Sequence, residues 1–477
     1  MLNKTIEEIR KIETYKLITL LSNISIKMYN NNTNIMDLSY RINPYQTAPM
    51  VLGAWIILNL EYLSMTKSND YRHCKKQFSL EKAVMSFLQY ENTKQAEDLY
   101  VSKDKNLIFK ILLGSLYEQL IYQSFSSLLS RFNRNYYIFC ESDIYDNTFN
   151  TDLSSITQHY FSCNVSEYLK AMTTIWCTSS KNPNPLFFKN IPYKDLIKKI
   201  IKKYSCSYNE IRESNLEQLL LYAKPFIQTQ KGLILSSNAF LILMLLANSL
   251  YWLTRDFYCE KYKNDKSKAQ YFPNNFGYVF EEYVKDLANQ YFDASKWYRI
   301  EEEKHNQADF FFDFGMLCMI IETKSSLLQL NAKQQVPQID LIEKYGENIK
   351  KAYIQLDSSY QNIKNSISKP ILKIILIYDE FIDASICNMA FPEHVNNDPT
   401  CILMTIEDFE ILMYLYKTKD EKLEKILNTI LEKTNKEPFG ISFRGVFIEY
   451  SVDINSIWRN DKNYLNSIIK QISKDIE

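Results

Sequence analysis

The sequence predicts a multidomain protein of the α and α/β classes, in which an all-helical N-terminal domain precedes a domain built around a small mixed sheet. Three observations support this prediction. Glycine accounts for only 8 and proline for only 12 of the 477 residues, whereas glycine alone is typically about 7% of a chain, so long uninterrupted helices are expected. The apolar periodicity changes near residue 271 from helical spacing alone to a mixture of helices and strands. The sign of the charge balance changes at the same place.

The charge balance separates the chain into two parts. The whole chain is neutral, with 56 Lys plus Arg and 56 Asp plus Glu, but residues 1–270 contain 33 basic and 24 acidic side chains, whereas residues 271–477 contain 23 and 32. A polar, lysine-rich stretch that includes Pro273, a residue that ends helices, lies at the division. We therefore predict a helical recognition or regulatory domain over residues 1–260, a linker over 261–276, a second domain over 277–450 and a C-terminal helix over 451–477.

The N-terminal part repeats apolar residues at helical spacing in five segments, each of which we expect to be helical. These segments are residues 6–26, 48–65, 108–129, 197–222 and 233–258, and the best strand pattern in this part is residues 136–140. Residues 239–253 are the most apolar, but they are shorter than the roughly 20 residues that span a bilayer. We therefore interpret them as a buried helix of a cytoplasmic protein without a membrane partner.

Four lysines of the N-terminal part, Lys198, Lys199, Lys202 and Lys203, lie at a spacing that aligns them along one side of a helix. A solvated helix face is the simpler interpretation of this pattern. A surface that follows the phosphates of a nucleic acid is the alternative, and the sequence leaves both open.

The scarcity of glycine excludes several kinds of active site. Gly440 and Gly445 have the outer spacing of a P-loop, but Val446 stands where a lysine would have to reach the phosphates, so we expect no nucleotide cofactor. The sequence contains no dinucleotide-binding glycine pattern, no G-x-S-x-G motif and no H-E-x-x-H motif. The nine cysteines include no C-x-x-C pair, which argues against a zinc cluster and a disulfide framework and indicates buried thiols in a reducing compartment.

The C-terminal part shows a helix, three strands, a helix and two further strands. We predict helices over residues 277–292, 339–363 and from 406 onward, and strands over 297–303, 308–314, 316–324, 371–378 and 401–405. The second and third strands are joined tightly at Gly315. The expected result is a small mixed sheet that is flanked by helices.

The hairpin at Gly315 brings two acidic residues together. A two-residue turn at Gly315 and Met316 places Asp309 directly across from Glu322, at about 5 Å between their Cβ atoms. Like charges that face each other are destabilising, and Lys324 points to the same face two residues beyond Glu322. A divalent cation would remove the remaining repulsion.

The helix that precedes the hairpin can supply a further carboxylate. With 100° of rotation per residue, the apolar stripe of residues 277–292 ends beside Glu281, whereas Glu282 faces solvent. A helix that packs beside the hairpin can therefore direct Glu281 toward the same site.

Three short motifs resemble those of the PD-(D/E)xK nuclease superfamily. They are GYVFE at residues 277–281, AD at 308–309 and ETK at 322–324, in the order and spacing of that superfamily. They are most similar to the branch found in bacterial defence and restriction nucleases, and the resemblance covers residues 277–416. Ala308 replaces the proline of the motif name. The Q-x-x-x-Y feature of some members is not reproduced, because Gln355 and Tyr360 are one position too far apart, and we do not include Gln355 in the site.

The resemblance implies a restriction-endonuclease-like αβββαβ core and a metal-dependent nuclease. Asp309 and Glu322 would hold Mg²⁺, with Mn²⁺ as a substitute, and Glu281 would be a further ligand. Lys324 would orient the attacking water and offset charge in the transition state. The implied role is cleavage of phage or plasmid DNA in bacterial defence, with nucleic acid and a defence-system protein as partners.

Two other functions remain open. One is a catalytically silent scaffold that keeps a nuclease-like fold and binds nucleic acid or protein, against which the intact Asp309, Glu322 and Lys324 argue. The other is an RNase. The opposite charge balances leave two roles for the N-terminal domain: it binds the nucleic acid, or it docks on the second domain and holds the active site closed until a partner separates them.

Overall fold

Helices make up most of the computed structural model of the protein. The structure describes residues 2–30, 40–41, 51–52, 54–67, 70, 77–101, 125–213, 219–301, 307–325, 339–378, 392–395, 397–436, 441–453, 458 and 462–476. Among these residues, strands form sheets of two, three and five members. The general prediction of helical and α/β parts is confirmed.

The N-terminal part consists mainly of helices. They are, in chain order, α1 (Leu2–Ile9), α2 (Thr14–Asn30), α3 (Ala54–Lys67), α4 (Leu80–Val101), α5 (Phe125–Tyr136), α6 (Ile144–Thr148), α7 (Leu153–Phe161), α8 (Val165–Ser179), α9 (Lys194–Lys203), α10 (Tyr208–Glu213), α11 (Leu219–Ala223) and α12 (Ala239–Lys261). The strands of this part are β1 (Tyr40–Arg41) and β2 (Val51–Leu52), which pair with each other, and β3 (Ser205–Ser207), β4 (Phe226–Gln228) and β5 (Ile234–Ser236), which form one sheet. The prediction that this part is all-helical is therefore wrong.

The three-stranded sheet interrupts two predicted helices. The predicted helix over residues 197–222 ends at Lys203, because β3 pairs in parallel with β4 and buries Cys206. The serines on either side of Cys206 form helices only weakly, so the pairing prevails over the helical pattern. The predicted helix over 233–258 begins only at Ala239, where the Asn238 side chain caps it by accepting a hydrogen bond from the Phe240 N–H at 2.9 Å.

Two other N-terminal predictions also change, and a third lies mostly outside the described residues. Residues 6–26 form two helices, α1 and α2, rather than one. Residues 137–141 form a π-helical turn that continues α5, and not a strand, because Tyr137, Ile138 and Phe139 are buried against the core in that geometry. Most of the predicted helix over 108–129 lies outside the described residues, since the structure describes this region only from residue 125.

Helix α12 contains the most apolar segment of the chain. Fourteen of its residues are buried, among them Asn248 and Ser249, so it is a core helix, as predicted. Among the helices that the structure describes, none combines the length and apolar character needed to cross a membrane. The seven cysteines within the described residues are free thiols, of which Cys140 and Cys259 are exposed.

The first helix of the C-terminal part, α13 (Tyr271–Tyr291), begins earlier than the predicted Gly277. Pro273 lies in its first turn and does not stop it. At that position no backbone N–H is required for an intrahelical hydrogen bond, and the fixed φ of proline suits a helix start. The connection between α12 and α13 is therefore limited to residues 262–270.

The C-terminal sheet has five strands in the order β10-β9-β8-β7-β6. They are β6 (Trp297–Arg299), β7 (Phe310–Asp313), β8 (Cys318–Lys324), β9 (Ile371–Ile377) and β10 (Cys401–Thr405). Strands β6, β7 and β8 are antiparallel neighbours, whereas β8, β9 and β10 are parallel. The predicted order of elements in this part is confirmed, and the helix over residues 339–363 and the strand over 401–405 have the predicted bounds.

Helices cover both faces of this sheet. Helix α14 (Ile339–Ile363) packs on one face against β8 and β9, where Leu356 and Ile375 belong to a small separate core. Helices α13 and α15 (Ile406–Thr418) lie on the other face, where Phe409 contacts Phe312. Three further helices complete the chain: α16 (Lys422–Lys436), α17 (Phe443–Glu449) and α18 (Tyr464–Ile476).

The N-terminal and C-terminal parts share one hydrophobic core, which extends from Ile9 to Ile472. The C-terminal helix α18 packs on α5 and α8, and Lys170 of α8 pairs with Asp475 at 2.8 Å. The main core is therefore continuous across the predicted linker.

Candidate active site

A tight turn between β7 and β8 sets the register of the site. Gly315 has a φ of +89°, a left-handed conformation that glycine adopts without steric cost, and the Phe314 N–H donates to the Leu317 carbonyl at 3.0 Å. Phe310 pairs with Ile321, as the sequence predicted. The pairing of β7 with β8 ends at Phe310, and the Asp309 N–H donates to the Ile321 carbonyl at 2.9 Å. Asp309 is therefore offset by one residue from the predicted position directly across from Glu322, as in a β-bulge.

Glu322 is a buried carboxylate with one unsatisfied oxygen. Its residue exposure is 2%, and its Oε1 accepts a hydrogen bond from the ammonium of Lys324. Within the described part of the chain, Oε2 is buried and has no hydrogen-bond partner. Burial, followed by the charge of Asp309, raises the pKa of Glu322 to about 8, although the nearby Lys324 opposes this shift. An unpaired buried oxygen is costly unless a proton, an ion or water satisfies it.

Asp309 is held in place by the residue after Glu322. Its Oδ2 accepts hydrogen bonds from the Thr323 backbone N–H at 2.7 Å and from the Thr323 hydroxyl at 2.6 Å. Burial raises the pKa of Asp309, and this effect exceeds the opposing effects of the Thr323 hydrogen bonds and of the Lys324 and Arg299 charges. Both carboxyl groups therefore bind protons more tightly than ordinary side chains.

Helix α14 adds two polar residues that sequence reasoning missed. Lys324 donates to Gln355 Oε1 at 3.1 Å, and Gln355 Nε2 donates to the Gln307 carbonyl at 3.3 Å. The Ser359 hydroxyl accepts the Ala308 N–H at 2.8 Å. The exclusion of Gln355 was wrong, because the side of α14 next to its apolar stripe faces the end of the hairpin. The four-residue spacing of Gln355 and Ser359, which puts them on one helix side, is the signal that could have identified them.

Glu281 lies at the border of the site. Helix α13 passes the end of β8 closely enough that a Cβ added to Gly277 would be 3.9 Å from Ser325 Oγ. The Glu281 side chain is 20% exposed against 37% for Glu282. The charge of Glu281 is one of the causes that raise the pKa of Glu322. The structure thus brings together Asp309, Glu322 and Lys324, with Glu281 at the border, where it pairs with Arg299.

Arg299 of β6 is a further residue that the sequence did not identify. Its guanidinium pairs with Glu281 and, at 3.1 Å, with Glu282. Its charge also lowers the pKa of Asp309, as the last of several causes. A basic residue in a three-residue edge strand has no pattern that marks it as part of a site.

The carboxylates offer two ligands for a cation rather than three. Within the described residues, no three His, Cys, Asp or Glu side chains are close enough to hold one metal ion. Mg²⁺ commonly binds through one or two carboxylates and completes its shell with water and substrate phosphates. The unpaired Oε2 of Glu322, beside the Asp309 charge, therefore fits a Mg²⁺ ligand.

The four lysines of α9 are not part of this cluster. Lys198 pairs with Asp195 at 3.0 Å, and Lys199 donates to the Phe161 carbonyl at 3.2 Å. The Lys203 ammonium lies 3.9 Å from the centre of the Tyr160 ring and 3.7 Å from Asp256. Lys202 is exposed. These contacts are all within the N-terminal part, and a role in binding nucleic acid stays a prediction.

Comparison with protein-family models, with curated proteins and with solved structures finds no match to this chain.

Proposed function

We propose that the protein is a Mg²⁺-dependent nuclease that hydrolyses phosphodiester bonds. One observation carries the proposal: Glu322 keeps a buried, unpaired oxygen close enough to Asp309 for the Asp309 charge to raise the Glu322 pKa, while its other oxygen accepts a hydrogen bond from Lys324. DNA as the substrate, and cytoplasmic defence against phage or plasmid DNA as the role, are supported only by the resemblance of residues 277–416 to defence nucleases.

Asp309 and Glu322 would hold Mg²⁺ or Mn²⁺ as hard oxygen ligands. Glu281 would contribute through water, or directly once its carboxylate leaves Arg299. A bound Mg²⁺ would polarise the phosphodiester and activate a water molecule. Loss of a proton from Glu322, whose pKa is raised to about 8, would accompany binding, because metal ligands must be deprotonated.

Lys324 is the positive group beside the two carboxylates. Its ammonium can donate a hydrogen bond to the attacking water and offset negative charge that builds on the phosphate. Gln355 and Glu322 hold that ammonium between them. A fixed donor is more effective than a mobile one, because no reorganisation is needed during the reaction.

The two alternatives differ from this proposal in what they require. A silent scaffold needs no unpaired carboxylate oxygen, and burying one without a function costs stability. An RNase would use the same residues, so only the substrate distinguishes it. The proposal also includes a defence-system protein as a partner, which is supported by the resemblance of residues 277–416 alone.

The test is an assay of supercoiled DNA, linear DNA and RNA with Mg²⁺, Mn²⁺ or EDTA. Cleavage is expected with either metal and not with EDTA, and Asp309→Asn, Glu322→Gln and Lys324→Met should reduce it to the EDTA background. Asp313→Asn is the matched control, since Asp313 lies on the same hairpin but pairs with Lys369 at 2.7 Å. Undiminished cleavage by Glu322→Gln, or no cleavage of any substrate, would contradict the proposal.

Metal binding can be measured without activity. Mg²⁺ should raise the melting temperature of the wild type by mass action. The rise should be much smaller for Asp309→Asn and Glu322→Gln, but unchanged for Asp313→Asn. Equal shifts in all four proteins would place the metal elsewhere.

A further inference from the structure

The edge strand β6 carries an exposed aromatic side chain next to the candidate active site. Tyr298 pairs with Phe311, and the Ile300 N–H donates to the Asp309 carbonyl at 2.9 Å. Tyr298 pairs with Phe311 and Phe311 with Ile320, so Tyr298 shares a face with Ile320 and with Glu322, two residues further along β8. The backbone contact of Ile300, two residues beyond Tyr298, brings Asp309 next to the same strand.

The Tyr298 ring is fixed on one side and open on the other. It stacks on Phe311, with 4.9 Å between ring centres and 23° between ring planes. Phe311 is buried, whereas Tyr298 is 48% exposed. The stacked pair therefore presents one aromatic face to solvent in a defined orientation, beside the carboxylates.

Other groups around the site match a nucleic acid strand. Arg299 follows Tyr298 directly, points to the other side of β6 and places its guanidinium at Glu281. Tyr278, which is 60% exposed, lies one helical turn before Glu281 on α13. Cations next to exposed aromatic rings form the usual surface for single-stranded nucleic acid, on which phosphates and bases bind in turn.

We propose that Tyr298 stacks on an unpaired nucleobase next to the scissile phosphate. The preferred substrate is then nucleic acid that is single-stranded at the cut, because the base faces of an intact duplex are covered by neighbouring bases. The inference rests on the proposed nuclease function and specifies its substrate class. A purely structural Tyr298 would stabilise the hairpin through its cross-strand pair but would not distinguish single strands from duplexes.

The test measures affinity of the full chain in EDTA, where cleavage is not expected. The probes are a single-stranded oligonucleotide that contains 2-aminopurine and the matching duplex. Tyr298→Leu should weaken single-strand binding by about 5- to 150-fold, which corresponds to the stacking energy of one base, and should change duplex binding by less than about twofold. Tyr298→Phe and Tyr298→Trp should keep both the affinity and the quenching of 2-aminopurine fluorescence.

A matched control is Phe187→Ala, since Phe187 is 63% exposed and lies in the N-terminal part. It should leave both affinities unchanged. Equal losses on single strand and duplex for Tyr298→Leu, or loss of single-strand binding in Tyr298→Trp, would overturn the inference. Failure of the nuclease proposal has a different signature: wild-type protein would bind single strands through Tyr298 but would not cleave them with Mg²⁺ or Mn²⁺.

Discussion

Arg134 and Glu410 form a buried ion pair between the N-terminal and C-terminal parts of the chain. Arg134 Nε lies 2.6 Å from Glu410 Oε1 and Arg134 Nη2 lies 2.9 Å from Oε2, and both side chains are 2% exposed. The Tyr283 hydroxyl and the Trp458 indole N–H also donate to Glu410, at 2.6 and 2.9 Å. Because Tyr283 belongs to the helix that carries Glu281, the same network positions one wall of the candidate site.

The loss of Glu410 should destabilise the whole protein. Glu410→Ala leaves the buried Arg134 charge and two further donors without an acceptor, so the free energy of unfolding should fall by about 3–5 kcal/mol. Urea unfolding followed by circular dichroism measures this change. Glu424→Ala, at an exposed position of the next helix, should alter the free energy by no more than about 0.5 kcal/mol. Similar values for the two variants would mean that the pair is not a structural link.

The ion pair is an example of a contact that the sequence does not predict. The turn at Gly315 and the register of Phe310 with Ile321 were predictable, because a glycine between two alternating apolar runs permits few pairings. Nothing in the local pattern around Arg134 indicates that its partner is Glu410, which follows 276 positions later. The predicted division into domains also came from local properties of the sequence. Composition and charge describe single segments, whereas the hydrophobic core that the two parts share depends on contacts between distant segments.

Short strands and side-chain partners were missed for a related reason. Strands β3 and β4 have three residues each and pair across the two intervening helices α10 and α11, so neither shows a periodic pattern by itself. Arg299 joins the site only because β6 pairs with β7. The residues that the sequence placed near each other and that the structure also places near each other, Asp309 and Glu322, are connected by a single local turn.

Substitution of the two adjacent glutamates of α13 should affect the rate of cleavage to different extents. Glu281→Gln removes a carboxylate whose charge acts on Glu322, so Mg²⁺-dependent cleavage should fall strongly. Glu282→Gln should leave cleavage nearly intact, although Glu282 also contacts Arg299. Initial rates of cleavage under matched conditions measure the difference. A larger loss in Glu282→Gln would mean that the solvent-facing glutamate is the functional one.

Glu61 of α3 should make the stability of the protein depend on pH. The residue is fully buried, and burial raises its pKa well above the ordinary value of 4.5, with only the neighbouring Ser237 hydroxyl opposing the shift. The folded protein therefore keeps the Glu61 proton at pH values where the unfolded chain has lost it. Stability should then decrease as the pH rises above the unfolded pKa, by about 1.4 kcal/mol per pH unit, until the folded pKa is reached.

Glu61→Gln removes this contribution while it keeps the shape of the side chain. The measurement is urea unfolding of both proteins at several pH values between about 5 and 8. The difference in the free energy of unfolding between wild type and variant should change steadily with pH. The contributions of titrating groups that both proteins share cancel in this difference. Parallel curves would show that Glu61 ionises normally in the folded protein.

The lysines of α9 allow a test of the two roles of the N-terminal part. Replacement of Lys198, Lys199 and Lys202 by glutamine in the full chain spares Lys203, which packs on Tyr160. If this face binds phosphates, the affinity for nucleic acid should fall. The slope of the logarithm of the binding constant against the logarithm of the salt concentration should also become less negative, by about 0.7–0.9 for each lost contact. If the basic face instead holds the enzyme closed, cleavage should increase.

The matched control for this variant is the replacement of Lys263, Lys266 and Lys268 by glutamine, which removes the same charge from the connection between α12 and α13. Binding and cleavage equal to those of the control would assign the α9 lysines to a solvated helix face.

Gln355 should act through the position of Lys324 rather than on the substrate. Gln355→Ala removes the acceptor that holds the Lys324 ammonium at 3.1 Å, so kcat should fall by about 10- to 100-fold, the usual cost of losing such a supporting partner. KM should change little, because an ammonium that acts mainly in the transition state contributes little to ground-state binding. Gln355→Glu keeps an acceptor for Lys324 and should recover part of the rate. Gln361→Ala, at an exposed position of the same helix, should match the wild type, whereas a rise in KM without a change in kcat for Gln355→Ala would assign Gln355 to substrate binding.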